Sequence, residues 1–324
     1  MPKPWRFATR LNSFKPVAEG PHAPGLLRAA ATVPGLNAVE LNYPQHFTTQ
    51  PELELRTAIA DSGLRPTGIN LRYEGAEFAD GAFTSPREAT RERAIRIALE
   101  AVDQAAALGA GHVVLWMADD GFDYPFQVDY SRLWERELLG FRRVAEHDPA
   151  IRVSVEYKPT EPRRFALIRS MGDALLAVRE VGLANFGVTL DVCHALMAGE
   201  HPGASAALAL RERKLFGVHL NEGYGRGDDG LAVGRVHPTT TLEVLWQLRR
   251  GGYEGTIYFD TFPVREHPVA ECAANIAWVQ RALAALGRLD IDALAAAQEA
   301  QDAMAVGRLV GLASGGLDRF AAST

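Results

Sequence analysis

Four residues that bind hard cations fall at matching places along this chain: Glu156, Asp191, His219 and Asp260. Each closes a short apolar run, in SVEYKP, VTLDVCH, GVHLNE and IYFDTF. If those runs are parallel strands of one sheet, their ends meet at one face. Three carboxylates gathered there repel, since two like charges about 4 Å apart at an effective dielectric near 20 cost about 4 kcal/mol. A cation between them removes that cost. Oxygen-rich ligation with a single imidazole suits Mn²⁺ or Mg²⁺, with Co²⁺ also fitting, better than a thiolate-loving ion. A structural zinc site would draw on cysteines, and none is placed at these ends.

Other residues near these ends could do chemistry with such an ion. Glu156 and Lys158 are two apart on one predicted strand, so their side chains share a face. The lysine either polarises a substrate hydroxyl or carbonyl from there, or pairs with Glu161 at the rim. His194 lies three residues past Asp191, so that Asp191 binds a first metal while the imidazole faces a second position. Asp228 and Asp229, in HLNEGYGRGDDGLAVG, either complete that second site or form a solvated acidic turn. The glycines around them free the loop to fold over a mouth.

Short β-branched or aromatic runs must position these groups, and they alternate with Ala/Leu/Arg segments of helical period. Strands are predicted over 7–11, 38–42, 65–71, 112–117, 152–157, 186–190, 215–220 and 256–259. Helices are predicted over 87–108, 130–147, 240–250 and 269–286, with helix stops at 110–111 and 251–252. Eight β/α units imply an α/β fold, the (β/α)₈ TIM barrel, whose strand C-termini converge on one face. A doubly wound open sheet uses the same units, but RLNSFKP stands after the first strand where a Gly-rich phosphate fingerprint would be. The barrel is assigned to residues 1–287. An Ala-rich helical extension follows over 288–324; it either packs on its own barrel or serves as an oligomerisation arm.

The 324 residues suit one barrel of about 250 residues with insertions. A net charge of −6 argues against nucleic acid, where a basic face supplies most of the affinity. Two cysteines, Cys193 and Cys272, cannot make a disulfide framework and fit a reducing cytoplasm. MPKPWRFATR has no apolar core of signal length, and no apolar run approaches the roughly 20 residues of a membrane span. The expectation is a cytoplasmic protein without a membrane partner.

The segments SVEYKPTEPR, LDVCHALMAG, VHLNEGYGRGDDGLAVG and YFDTF resemble, in order, those of the xylose isomerase-like superfamily. In particular they are similar to rhamnose isomerase and related aldose–ketose isomerases acting on rhamnose, xylose or apiose. The match runs from VVLWMADDG and FDYPFQ through the last strand, roughly half the chain; the earlier strands agree in rhythm only. The resemblance implies a structural metal on Glu156, Asp191, His219 and Asp260. It implies a catalytic metal on His194 and Asp228, with Asp229 a further ligand, and Lys158 against substrate oxygen. Gly230 stands where such isomerases show another aspartate, which weakens the second site. The resemblance also implies a homodimer or homotetramer.

The activity expected is aldose–ketose isomerisation of a small unphosphorylated sugar, by a hydride shift or by enediol proton transfer through Glu156 or Asp260. Trp116, Tyr43, His46 and Asn70 are candidates for the sugar-facing wall; Arg163, Arg164 and Arg265 could instead hold a phosphate. Alternatives on the same scaffold are a ketose 3-epimerase and an inosose-type dehydratase. An abasic-site endonuclease relative and a non-catalytic sugar-binding barrel are weaker rivals.

Overall fold

The computed structural model describes residues 5–315. The outermost parts of the expected barrel and tail, residues 1–4 and 316–324, lie outside the described residues. Eight parallel strands form the barrel: β1 (Arg6–Thr9), β2 (Ala38–Tyr43), β3 (Arg65–Leu71), β4 (His112–Trp116), β5 (Arg152–Glu156), β6 (Phe186–Asp191), β7 (Leu215–His219) and β8 (Thr256–Phe259). Hydrogen bonding runs in the order β1-β8-β7-β6-β5-β4-β3-β2. Between β1 and β2 a parallel bridge, Arg10 to Glu40, and two hydrogen bonds nearly close the ring: the Phe7 N–H donates to Asn37 Oδ1, and the Asn37 N–H donates to the Phe7 carbonyl.

Every predicted strand is present, with ends shifted by at most two residues and 65–71 and 256–259 unshifted. The runs read as 7–11, 112–117, 152–157 and 215–220 stop one or two residues earlier, their last residues Leu11, Met117, Tyr157 and Leu220 lying in the main core. The helices Tyr130–His147 and Glu88–Leu108 follow the predicted periodicity. Pro238–Arg250 and Pro268–Leu286 begin on a proline at the first turn, which sets the helical φ and needs no donor there.

Period-two alternation divides each strand. One set of side chains, including Leu41, Ile69, Leu115, Val153, Val188, Val218 and Ile257, joins the helices in the main apolar core. The other set faces the axis. There Ala8, Ala38 and Tyr258 make a small separate apolar cluster, and His112, Ser154 and Thr189 form a hydrogen-bonded chain with two 2.7 Å links. Barrel interiors are usually filled by bulky branched residues; this one is small and polar at mid-height.

The tail folds into two helices, Ile291–Glu299 and Ala303–Ser314. Leu294, Ala297 and Ala313 are buried, and the Arg288 guanidinium donates to the Ala313 carbonyl (2.7 Å). The second of these helices touches Pro268–Leu286, the last helix of the barrel.

Candidate metal centre

Parallel register brings the acidic strand ends level. Trp116 on β4 pairs with Glu156 on β5, Asp191 on β6 pairs with His219 on β7, and Asp260 follows β8 directly. One ligand atom from each of Glu156, Asp191, His219 and Asp260 lies within 4.8 Å of all the others, and all four residues are buried. Asn221, two residues past His219, ties the group together. Its amide donates to Asp191 Oδ2 (2.9 Å) and to the Asp260 carbonyl (3.2 Å), while its oxygen accepts from the Cys193 N–H (2.8 Å). Asp191 also caps the short helix Val192–Met197, its Oδ1 accepting from the His194 N–H (2.9 Å). That cap turns His194 back over the cluster.

Burial and crowding decide the charge states. Burial pushes the Asp191 carboxyl up to about 7; His194 opposes this, and the Asp228, Glu156 and Asp260 carboxylates add to it. Burial likewise raises Asp260 against the pull of His219, Arg10 and Arg72. Burial would raise Glu156 too, but His219 and His194 hold it at about 2. Burial alone would lower His219; Glu156, Asp260 and Glu40 bring it to about 10. Two imidazolium groups therefore offset the carboxylates of the metal-free site.

The donor set fits a divalent ion. Ligands about 2.1 Å from one small cation sit at most about 4.2 Å apart, so the 4.8 Å span needs only slight contraction. Asp260 Oδ1 is buried without a hydrogen-bond partner, 3.6 Å from the Arg10 Nε. Three carboxylates and one imidazole are ligands for Mn²⁺ or Mg²⁺.

A second group adjoins the first. His194 Nδ1 donates to the Tyr157 carbonyl (3.0 Å), and Nε2 lies 3.2 Å from Asp228 Oδ2. That oxygen also accepts from Lys158 Nζ (3.0 Å), and Lys158 pairs with Glu161 (3.1 Å). The expected pairing with Glu161 is thus present, and Asp228 joins it. Burial would lower the Lys158 pKa, but Asp228 and Glu161 outweigh it and keep the ammonium charged. Asp228 Oδ1 is buried and unpartnered. Asp229 does not join this pair through Oδ2, which accepts from the Tyr224 N–H (2.7 Å). Gly230 has φ 54°, and a Cβ there would lie 2.4 Å from the Phe262 ring. An aspartate would not fit this backbone.

Among the expected wall residues, Trp116 stands between two cations, with the Arg72 guanidinium 5.1 Å and Lys158 Nζ 5.5 Å from its ring. Asn70 donates to Glu40 (3.3 Å) and leaves Oδ1 unpaired. His46 is buried, which with Arg72, Lys15 and Arg10 lowers its pKa to about 3; its Nδ1 accepts from the Asn42 N–H. Tyr43 is not brought to the mouth. It sits on the outward face of β2, packs on Phe47 (5.3 Å) and donates to Glu100 on the helix Glu88–Leu108. The even-numbered β2 positions face inward, which puts 43 outside. Sequence reading missed Arg10, Arg72 and Asn221, although each falls at a strand end in register with a recognised ligand.

Residues 27–283 match the family described as xylose isomerase-like TIM barrel, and the chain belongs to that family. A xylose isomerase of Thermus thermophilus is 30% identical over 217 residues, covering 65% of this chain and 56% of that enzyme. The match thus spans little more than half of that relative. A D-tagatose 3-epimerase-like protein superposes with TM-score 0.71 at 18% identity, covering 87% of this chain and 98% of that one. An L-ribulose 3-epimerase gives 0.68 at 18% identity, covering 88% and 96%. At such identity the structural likeness concerns the fold.

Proposed function

We propose that this protein is a divalent-metal-dependent aldose–ketose isomerase of a small, unphosphorylated sugar. The observation carrying this reading is the convergence of Glu156, Asp191, His219 and Asp260 beside a buried, charged Lys158. The likeness to a xylose isomerase supports the reaction class. A bound Mn²⁺ or Mg²⁺ ion would be held by those four residues and would supply Lewis-acid polarisation of substrate oxygens.

The chain's own groups do the rest. Lys158 presents an ammonium N–H to a substrate oxygen and is aimed by Asp228 and Glu161. Trp116 gives a flat apolar face beside it, suited to the C–H face of a sugar. If hydrogen moves as a proton, Asp260 is the better base: burial raises its pKa, whereas Glu156 is held at about 2. His194 and Asp228 form the candidate second ligand pair, with Asp229 behind them in the loop.

Incubating the Mn²⁺-loaded protein with aldoses and ketoses, followed by NMR, tests this. Conversion of an aldose to a ketose of equal carbon number is the expected result. Ketose-to-ketose inversion alone would replace the isomerase with a 3-epimerase, in which Glu156 and Asp260 would exchange protons from opposite faces. Deuterium from solvent entering the product would favour proton transfer over a hydride shift.

A further inference from the structure

The end of the barrel opposite the metal centre is open. A cavity of about 360 Å³ lies among the strand starts. Its rim carries the side chains of Arg6, Arg65 and Arg152, with Glu254 as the rim's carboxylate. Among the described residues none of the three guanidinium groups has a carboxylate partner; Arg152 lies over the Phe216 ring at 5.3 Å. In a chain of net charge −6, a cluster of unpaired cations at one opening is a local reversal of sign.

The cavity runs up the axis to Glu40, His112 and His219. The wall at mid-height is close-packed around Gly217, where a Cβ would lie 2.4 Å from Thr189 Oγ1 and 2.9 Å from His112 Cε1. His219 turns Nδ1 to Glu156 (3.2 Å), and its Nε2, buried at the far side of the ring, has no hydrogen-bond partner. The inner end of the cavity thus also lacks an acceptor. Burial raises the Glu40 pKa, against the pull of His219 and the hydrogen bonds from Asn70 and Thr67.

We propose that this strand-start mouth, which opens away from the metal centre and reaches only the back of His219, is a second site that binds a phosphate group, free or esterified to a small sugar. Arginine forks match phosphate oxygens two at a time, and guanidinium groups give up water more readily than ammonium groups. The cavity volume admits a phosphate with room for a small polyol. The inference does not depend on the isomerase reading.

Calorimetric titration of the full chain at low salt, without added metal, tests it with two probes: inorganic phosphate and a pentose 5-phosphate. Saturable binding is expected, weakened at least tenfold in the double variant Arg65→Ala/Arg152→Ala and kept in Arg72→Ala at the metal-bearing mouth. Arg6→Gln serves as a milder second variant should circular dichroism show the double variant unfolded, and is expected to weaken binding as well. Binding of inorganic phosphate assigns the site to the free ion, and binding of the ester alone assigns it to the sugar phosphate. Absence of saturable binding with both probes overturns the proposal. So does a loss in Arg72→Ala with the rim variants unchanged.

Discussion

Asp260 and Lys158 sit within one pocket but answer to different experiments. Asp260 offers an unpartnered buried oxygen to the ion, so Asp260→Ala should weaken Mn²⁺ binding by more than the roughly 10–100-fold seen for outer-shell partners, read by calorimetry. Lys158→Met should retain the ion yet lower kcat by about 10²–10³-fold, as for loss of one positioned donor to developing charge. Unchanged kcat in that variant would remove Lys158 from the chemistry. The pH dependence has a definite sign. Metal ligation needs His219 and Asp191 without protons, and in the metal-free fold these groups hold them up to about 10 and about 7. Mn²⁺ affinity should therefore rise between pH 6 and 9, by up to about two log units per pH unit below pH 7, where both protons are displaced, and about one above it. An affinity flat over that range would contradict the assigned ligands. For the metal-free fold itself, imidazole pKa values raised above about 6.5 add stability that is complete below that pH. That stability is lost as pH rises through about 9 for His194 and about 10 for His219, so the Tm of chelated protein should fall there.

Loops, more than strands, decide whether the second ligand pair forms. The segment from Glu222 to His237 carries Asp228, and the buried Glu222 carboxylate gathers its C-terminal end. Glu222 accepts from the backbone N–H groups of Gly234, Val236 and His237 and from the Thr241 hydroxyl, at 2.5–2.6 Å. Its own backbone pairs with Leu231 in both directions. Removing the carboxylate strands several buried donors at about 1–3 kcal/mol each. Glu222→Ala should thus destabilise the fold by at least ~2 kcal/mol in urea and lower kcat/KM. First-site Mn²⁺ affinity should change little, because Glu222 is not a ligand there. The strands were legible from period-two apolar runs, and the ends of Tyr130–His147 from its periodicity. This loop was not, because its acceptor and donors are up to 19 residues apart and share no local pattern. Tyr43 shows a related limit: its place just past the predicted strand 38–42 put an aromatic near the mouth, while strand parity turned it outward to Glu100.

Taken whole, the molecule joins a barrel to a helical cover. Leu286, Leu289 and Leu294 are buried where the tail meets the barrel. Truncation after Gly287 should lower the Tm by uncovering them and leave the number of subunits in light scattering unchanged; a fall in subunit number would identify the tail as an intersubunit arm. A ligand that binds only the folded chain adds about 2.7 kcal/mol at a hundredfold excess over its Kd. Saturating Mn²⁺ should accordingly raise the thermal midpoint, and a chelator should reverse the rise.

The order of apolar runs and the acidic or imidazole residue closing each of the last four already implied eight β/α units and a shared metal face, since parallel strands must end together. Periodicity and residue type are local properties, and they carried that much. Only the tertiary structure decided the rest. It set the distances among Glu156, Asp191, His219 and Asp260, the bracing by Asn221, and the approach of Arg10 and Arg72. It also revealed the open, arginine-rimmed far end of the axis. Those features arise where strands distant in sequence close into a ring, and register across that ring is not written in any one of them.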